Sequence, residues 1–159
     1  MSTTTQVTLE QYYEMLPNYE REPEFDDGEI VERPMPTKPH SEMLEFLIFA
    51  FRAFRPEFRS YPEWTIAPRE GSRRIPDLCL CASRSETPLL CVEIISPDDK
   101  ASVLRKKIKE YLAWGVEYVW VVDPVELDGD VHTNAGVERV PDGVFRAGVV
   151  EVNVRGVKE

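Results

Sequence analysis

The chain has 159 residues, 42% hydrophobic and 30% charged, with a formal net charge of −10. That length suits one domain with its own core and is short for two; no apolar run approaches the ~20 residues of a membrane helix. The overall charge argues against a nonspecific nucleic-acid binder. Its distribution is uneven, however. Residues 1–51 carry 3 Lys/Arg against 11 Asp/Glu, residues 110–159 carry 4 against 10, and the middle, 52–109, carries 12 against 8. An anionic substrate could still be met there. The start, MSTTTQVTLEQ, lacks the basic and apolar runs of a secretory leader. Cys79, Cys81 and Cys91 are an odd number of cysteines inside apolar segments, which suits reduced thiols and a cytoplasmic protein.

In chain order, Thr8 with Gln11 three residues on forms a capping-box start for a short helix that Pro17 closes. Asp27-Gly28 within EFDDGEIVER marks a hairpin, with Glu29 just beyond the turn. Pro34, Pro36 and Pro39 make a stiff connector. In HSEMLEFLIFAFRAF, Ser41 is the candidate cap, and Leu44, Leu47, Ile48, Phe51 and Phe54 recur at helical spacing. A strand is expected over 64–67. Two strands follow in SRRIPDLCLCASRSETPLLCVEIIS, residues 72–96, then an amphipathic helix, SPDDKASVLRKKIKEYLAWG, ended by Gly115. VEYVWVVDP reads as a buried strand stopped by Pro124; ERVPDGVFR and VVEVNV read as edge hairpin material in a loosely finished C-terminal part. The strand–helix–strand order over 89–122 implies a right-handed parallel crossover. The expected fold class is therefore α/β, a mixed β-sheet flanked by helices in one domain, 1–159.

The two strands of residues 72–96 each hold one carboxylate. An unpaired buried charge costs several kcal/mol, so such groups are paired or bind metal. Side chains alternate across a strand. Asp77, Cys79 and Cys81 therefore share one face, and Leu89, Cys91, Glu93 and Ile95 share one face of the second strand. An antiparallel hairpin centred on Ser85 sets Asp77 opposite Glu93 and Cys79 opposite Cys91. Opposed side chains have Cβ atoms ~5 Å apart, where like charges repel. Two readings stay open: a hard divalent ion such as Mg²⁺ between the acids, or pairing with Arg73, Arg74 or Lys100. On the following helix Leu104, Ile108, Tyr111 and Leu112 form the apolar face. Lys107 falls on the same arc, while Arg105, Lys106 and Lys109 point elsewhere. Lys107 is thus either a lysine at the border of the apolar face or a cation turned toward the carboxylates.

DDGEIVERPMP followed by PHSEMLEFL, then IPDLCLC, CVEIISP and LRKKIKEYLAWGVEYVWVVDP, resembles the Uma2 family of bacterial restriction endonucleases within the PD-(D/E)XK nuclease superfamily. The similarity covers about residues 8–125. It implies a restriction-endonuclease-like core, Asp77 and Glu93 as metal-binding acids, and Glu29 as an additional acid of the site. In the superfamily a lysine stands two residues after the second acid; here that position is Ile95, and in Uma2-like sequences the lysine is expected from the next helix, matching Lys107. His40 matches a histidine expected before the first long helix. His132 falls in a polar loop. Cys79, Cys81 and Cys91 lack a fourth zinc ligand, and there is no Gly-rich phosphate loop or G-x-S-x-G turn.

The expectation is a metal-dependent phosphodiesterase acting on DNA. Asp77 and Glu93, helped by the Ile94 carbonyl, hold Mg²⁺ or Mn²⁺; Lys107 positions the nucleophile; Glu29 binds metal or orders a water. The rival class is a non-catalytic binding or assembly module on the same scaffold, favoured by the acidic ends. DNA is the expected partner, a homodimer is left open, and no membrane is involved.

Overall fold

The computed structural model describes residues 6–159; residues 1–5, part of the segment considered above for a leader, lie outside it. Helix α1, Leu9–Met15, has the capping box: the Thr8 hydroxyl accepts from the Gln11 N–H, and the Gln11 side chain accepts from the Thr8 N–H. Pro17 does not end the helical path outright, because a 3₁₀ turn continues over Leu16–Asn18. Strands β1, Glu24–Asp26, and β2, Glu29–Val31, form the expected hairpin, with Asp27 and Gly28 both at positive φ, 46° and 92°. This is the left-handed turn whose twist suits a two-residue hairpin.

Helix α2, Lys38–Phe51, begins earlier than Ser41 would place it. Thr37 is the cap, its hydroxyl accepting from the His40 N–H, and Pro39 stands in the first turn, where a missing N–H costs nothing. Strand β3 is Phe58–Pro62, not 64–67. Glu63, at φ 50°, turns the chain out of the sheet, and Ile66 makes only an isolated bridge to Arg74. After β4, Ser72–Arg73, come β5, Leu78–Ala82, and β6, Leu90–Ile94. Helix α3, Ala101–Trp114, ends at Gly115, whose φ of 117° suits a left-handed C-cap. Strand β7 is Tyr118–Asp123.

The remaining chain is more ordered than its sequence suggests. Strands β8, Asp128–Thr133, and β9, Gly136–Val140, continue the main sheet, which places His132 in a strand and not a loop. β10, Val144–Ala147, and β11, Val150–Asn153, form a separate ribbon. The segment ERVPDGVFR is therefore split between two sheets.

The main sheet runs β3-β5-β6-β7-β8-β9, and a smaller one runs β2-β1-β4. β6 and β7 are parallel, and the other neighbours in the main sheet are antiparallel. The α/β mixed sheet flanked by helices is thus present. Period-2 alternation divides the core. Leu78, Leu80, Leu90 and Val92, with Trp120 beside Val92, form one cluster with Met43, Leu47 and Phe51 of α2 and with Phe145, Val150 and Val152. Cys79, Cys91, Val119 and Val121 face the other way, under Ile108 and Tyr111 of α3. Each such fully buried aliphatic or aromatic side chain contributes ~1.5–3 kcal/mol. Among the described residues no helix is long and apolar enough to cross a membrane.

Candidate active site

The β5–β6 ladder pairs Leu78 with Val92 and Cys79 with Cys91. Asp77 directly precedes β5, and extending this register by one position sets it opposite Glu93, as the hairpin centred on Ser85 requires. The Cys79 and Cys91 sulfurs lie 3.8 Å apart on the shared face. Asp77 Oδ2 accepts from the Ile94 N–H at 2.7 Å, which ties the end of one strand to the other. Asp77 and Glu93 are 5% and 7% exposed. Both line a cavity of about 570 Å³, together with Glu24, His40 and Lys107.

Lys107 is itself buried, 7% exposed, because the apolar arc of α3 that carries it is pressed onto the sheet. Its Nζ lies 2.9 Å from Glu24 Oε2 and 3.1 Å from Glu93 Oε1. Burial works against its charge, but Glu24 and Glu93 outweigh it and raise the lysine pKa. Tyr111, one turn further along α3, donates to Glu93 Oε1 at 2.7 Å. Burial pushes the Glu93 carboxyl up to about 7; Lys107 pulls it down, while Asp77 and Glu24 add to the rise. Lys107 and Tyr111 both meet Oε1, which leaves Oε2 as the Glu93 oxygen free of these two partners.

Asp77 is treated differently. Its Oδ1 meets His40 Nε2 at 3.1 Å, Arg21 Nη2 at 3.3 Å and Arg33 Nη2 at 3.6 Å. Burial raises its pKa, yet His40, the Ile94 N–H and Lys107 more than offset this, so the carboxyl stays below the usual carboxylate range. His40 is brought inside by the early start of α2, and its Nδ1 is buried without a hydrogen-bond partner among the described residues. Of the other cations anticipated from the sequence, Lys100 lines the cavity, whereas Arg73 and Arg74 go elsewhere. Arg73 donates to Tyr13 and to nearby carbonyls, and Arg74 pairs with Glu110. Lys106, expected to point away from the site, is partly exposed and pairs with Asp26 at 2.6 Å.

Besides Glu29, the additional acid expected of the hairpin, β1 contributes an acid that the sequence did not single out. Asp26 pairs with Glu29 and Glu24 with Val31, so Glu24, Asp26 and Glu29 share one face of the hairpin. Glu29 stands next to the turn, exposed, and lines the cavity without an ion pair among the described residues. Glu24 lies at the base of the hairpin, is 1% exposed, and accepts from the Ile75 N–H at 2.6 Å besides holding Lys107. Face parity alone offers Glu24, Asp26 and Glu29 equally; depth in the fold selects among them.

Among the described residues no three His, Cys, Asp or Glu side chains form a cluster able to hold a metal by themselves. The donor set that is present, two carboxylates at the ends of paired strands in a polar cavity, fits a hard divalent ion such as Mg²⁺. Such an ion takes one or two carboxylates and keeps several waters.

The model of the Uma2 family, described as "Putative restriction endonuclease", matches residues 9–151. No curated protein matches the chain. A solved structure described as "a putative nuclease belonging to DUF820", from Anabaena variabilis, superposes with a TM-score of 0.81 at 22% identity. The match covers 95% of this chain and 97% of that one. At that identity the likeness is one of fold. With nine-tenths of its length matched by the family model, the chain belongs to the Uma2 family.

Proposed function

We propose that this protein is a divalent-metal-dependent endonuclease that hydrolyses DNA phosphodiester bonds. The observation that carries the reading is the convergence of Asp77, Glu93 and Lys107 in one cavity, with Lys107 3.1 Å from Glu93. The family name and the fold point the same way. Asp77 and Glu93, with the Ile94 carbonyl, would hold Mg²⁺ or Mn²⁺. When bound, such an ion lowers the pKa of a coordinated water and polarises the phosphate. The chain's own residues do the rest. Lys107, kept charged by Glu24 and Glu93, orients the attacking water and stabilises charge developing on the phosphoryl oxygens. Glu24 fixes the ammonium in place, Asp77 stays ionised, and Glu29 orders water at the exposed wall of the cavity. We read residues 1–159 as one restriction-endonuclease-like domain of a cytoplasmic protein, a reading that its three free, buried thiols support; a homodimer would present two such cavities to the two DNA strands.

A second reading, a catalytically silent binding or assembly module, has its own support. The cavity is lined by seven carboxylates against four Lys/Arg side chains, and Asp77 is already compensated by cations. Plasmid nicking separates the two. Wild type should nick supercoiled DNA with Mg²⁺ or Mn²⁺ and not with EDTA, and Asp77→Ala should abolish the activity. A folded wild-type protein that cleaves neither duplex nor single-stranded DNA with any divalent ion would establish the silent module.

A further inference from the structure

Arg21 and Arg33 come from two separate segments and end on the same two oxygens. Each approaches Asp77 Oδ1, at 3.3 and 3.6 Å, and each approaches Glu63 Oε1, at 2.9 and 3.3 Å. Arg21 also donates to the Pro34 carbonyl. Their side chains are 10% and 7% exposed, and both line the cavity. Neither serves the proposed metal or nucleophile positions. Glu63, which joins them, is an unusual residue for its place. Its backbone is left-handed, φ 50°, a conformation Gly or Asn adopts more easily. Its N–H donates to the Asp77 carbonyl at 3.1 Å. Glu63 is thus anchored to the strand end that carries Asp77 and reaches back to both guanidiniums.

The charges balance as they stand, two guanidiniums against two carboxylates. A divalent ion on Asp77 would end that balance by adding two positive charges beside the arginines. It would compete for Oδ1 and repel them, while Glu63 kept both at the cavity wall. A guanidinium fork matches a phosphate in shape and charge. We propose that Arg21 and Arg33 form a phosphodiester clamp, poised on Asp77 and Glu63 and handed to the DNA backbone when a divalent ion occupies Asp77. This rests on the nuclease reading and adds to it the groups that grip the substrate and the event that releases them.

The test measures binding of a short fluorescein-labelled DNA duplex by anisotropy, with Ca²⁺ and with EDTA. Arg21→Gln and Arg33→Gln should each weaken binding at least about tenfold with Ca²⁺. Each should also lower the salt slope by about 1, with little change in EDTA. Glu63→Gln should strengthen binding in EDTA severalfold by freeing the arginines. Glu32→Gln, which removes a charge from the same cavity at a residue that makes no ion pair among the described residues, should not. Calorimetry gives a readout independent of DNA: Arg33→Gln should bind Mn²⁺ at least as tightly as wild type, a competing cation having left Asp77. Should the glutamine variants unfold, Arg33→Lys keeps the charge without the fork and should recover only part of the DNA affinity. Variants that bind with wild-type affinity and slope overturn the clamp and leave the nuclease reading intact. Equal losses with and without metal overturn the hand-over. A wild type that cleaves no DNA and binds no duplex under either condition removes both.

Discussion

Lys107 stands between two buried carboxylates, and this decides how its replacement behaves. A lysine at the border of a helix face would tolerate Met, because only a solvated charge is lost. Here Met would leave Glu24 and Glu93 without the cation they share. Lys107→Met is therefore expected to cost on the order of 3–5 kcal/mol, the range for removing one partner of a buried ion pair. The cost should depend on pH. Without Lys107 the Glu93 carboxyl, already at about 7, rises further and is neutral in acid. Urea melts at about pH 8 should show the full loss and melts at about pH 5.5 a smaller one; equal losses would mean that Glu93 does not feel the lysine. In the folded fraction nicking should fall roughly 10²–10³-fold. Lys106→Met removes a half-exposed partner of Asp26 and should cost less than about 1 kcal/mol.

At the scale of elements, the hairpin and α3 are clamped by a second ion-pair network beside the site. Glu110, on α3, accepts from Arg74 Nε at 2.7 Å and from Arg69 Nε at 2.9 Å. Both arginines also reach Asp26 of β1. Glu24 is two residues from Asp26, and Lys107 is three from Glu110, so the network sets the distance across which Lys107 meets Glu24. Burial pushes the Glu110 carboxyl up, and Arg74, then Arg69, pull it below the usual carboxylate range. A lowered folded pKa means stability that is present above the unfolded value, about 4.3, and lost as pH falls through the folded one. Glu110→Gln should cost roughly 1.5–3 kcal/mol at neutral pH. It should also flatten the acid limb of the stability profile below pH ~4.3. An acid limb identical to that of wild type would show that Glu110 is not the group being titrated.

Across the whole molecule, the C-terminal ribbon belongs to the main core. Phe145 is fully buried with its ring centroid 5.4 Å from that of Trp120, and Trp120 donates from its indole to the Arg146 carbonyl at 3.1 Å. Trp120 lies on β7, the strand paired with the Glu93 strand. Phe145→Ala is expected to cost about 3–5 kcal/mol and to lower Tm by roughly 10 °C. If the chain is one domain, calorimetry should show a single transition whose calorimetric and van't Hoff enthalpies agree, in wild type and variant alike. An early separate transition in the variant would show the ribbon to be an independent unit.

The sequence by itself determined the β5–β6 register, the sharing of one face by Asp77, Cys79, Cys91 and Glu93, and the inward arc of Lys107. Each follows from a short-range rule: alternation along a strand, about 100° per residue along a helix, and a tight turn that fixes who opposes whom. The end of α3 at Gly115 and the Asp27-Gly28 hairpin were legible for the same reason. Only the tertiary structure decided that Glu24 and not Glu29 holds Lys107, because both lie on one face of the hairpin and only the docking of β1 against α3 buries one of them. It alone brought Arg21, Arg33 and His40 to Asp77. These partners lie 56, 44 and 37 residues away in the chain. Contacts across such separations depend on how finished elements pack against one another, and no periodicity within a single element carries that information.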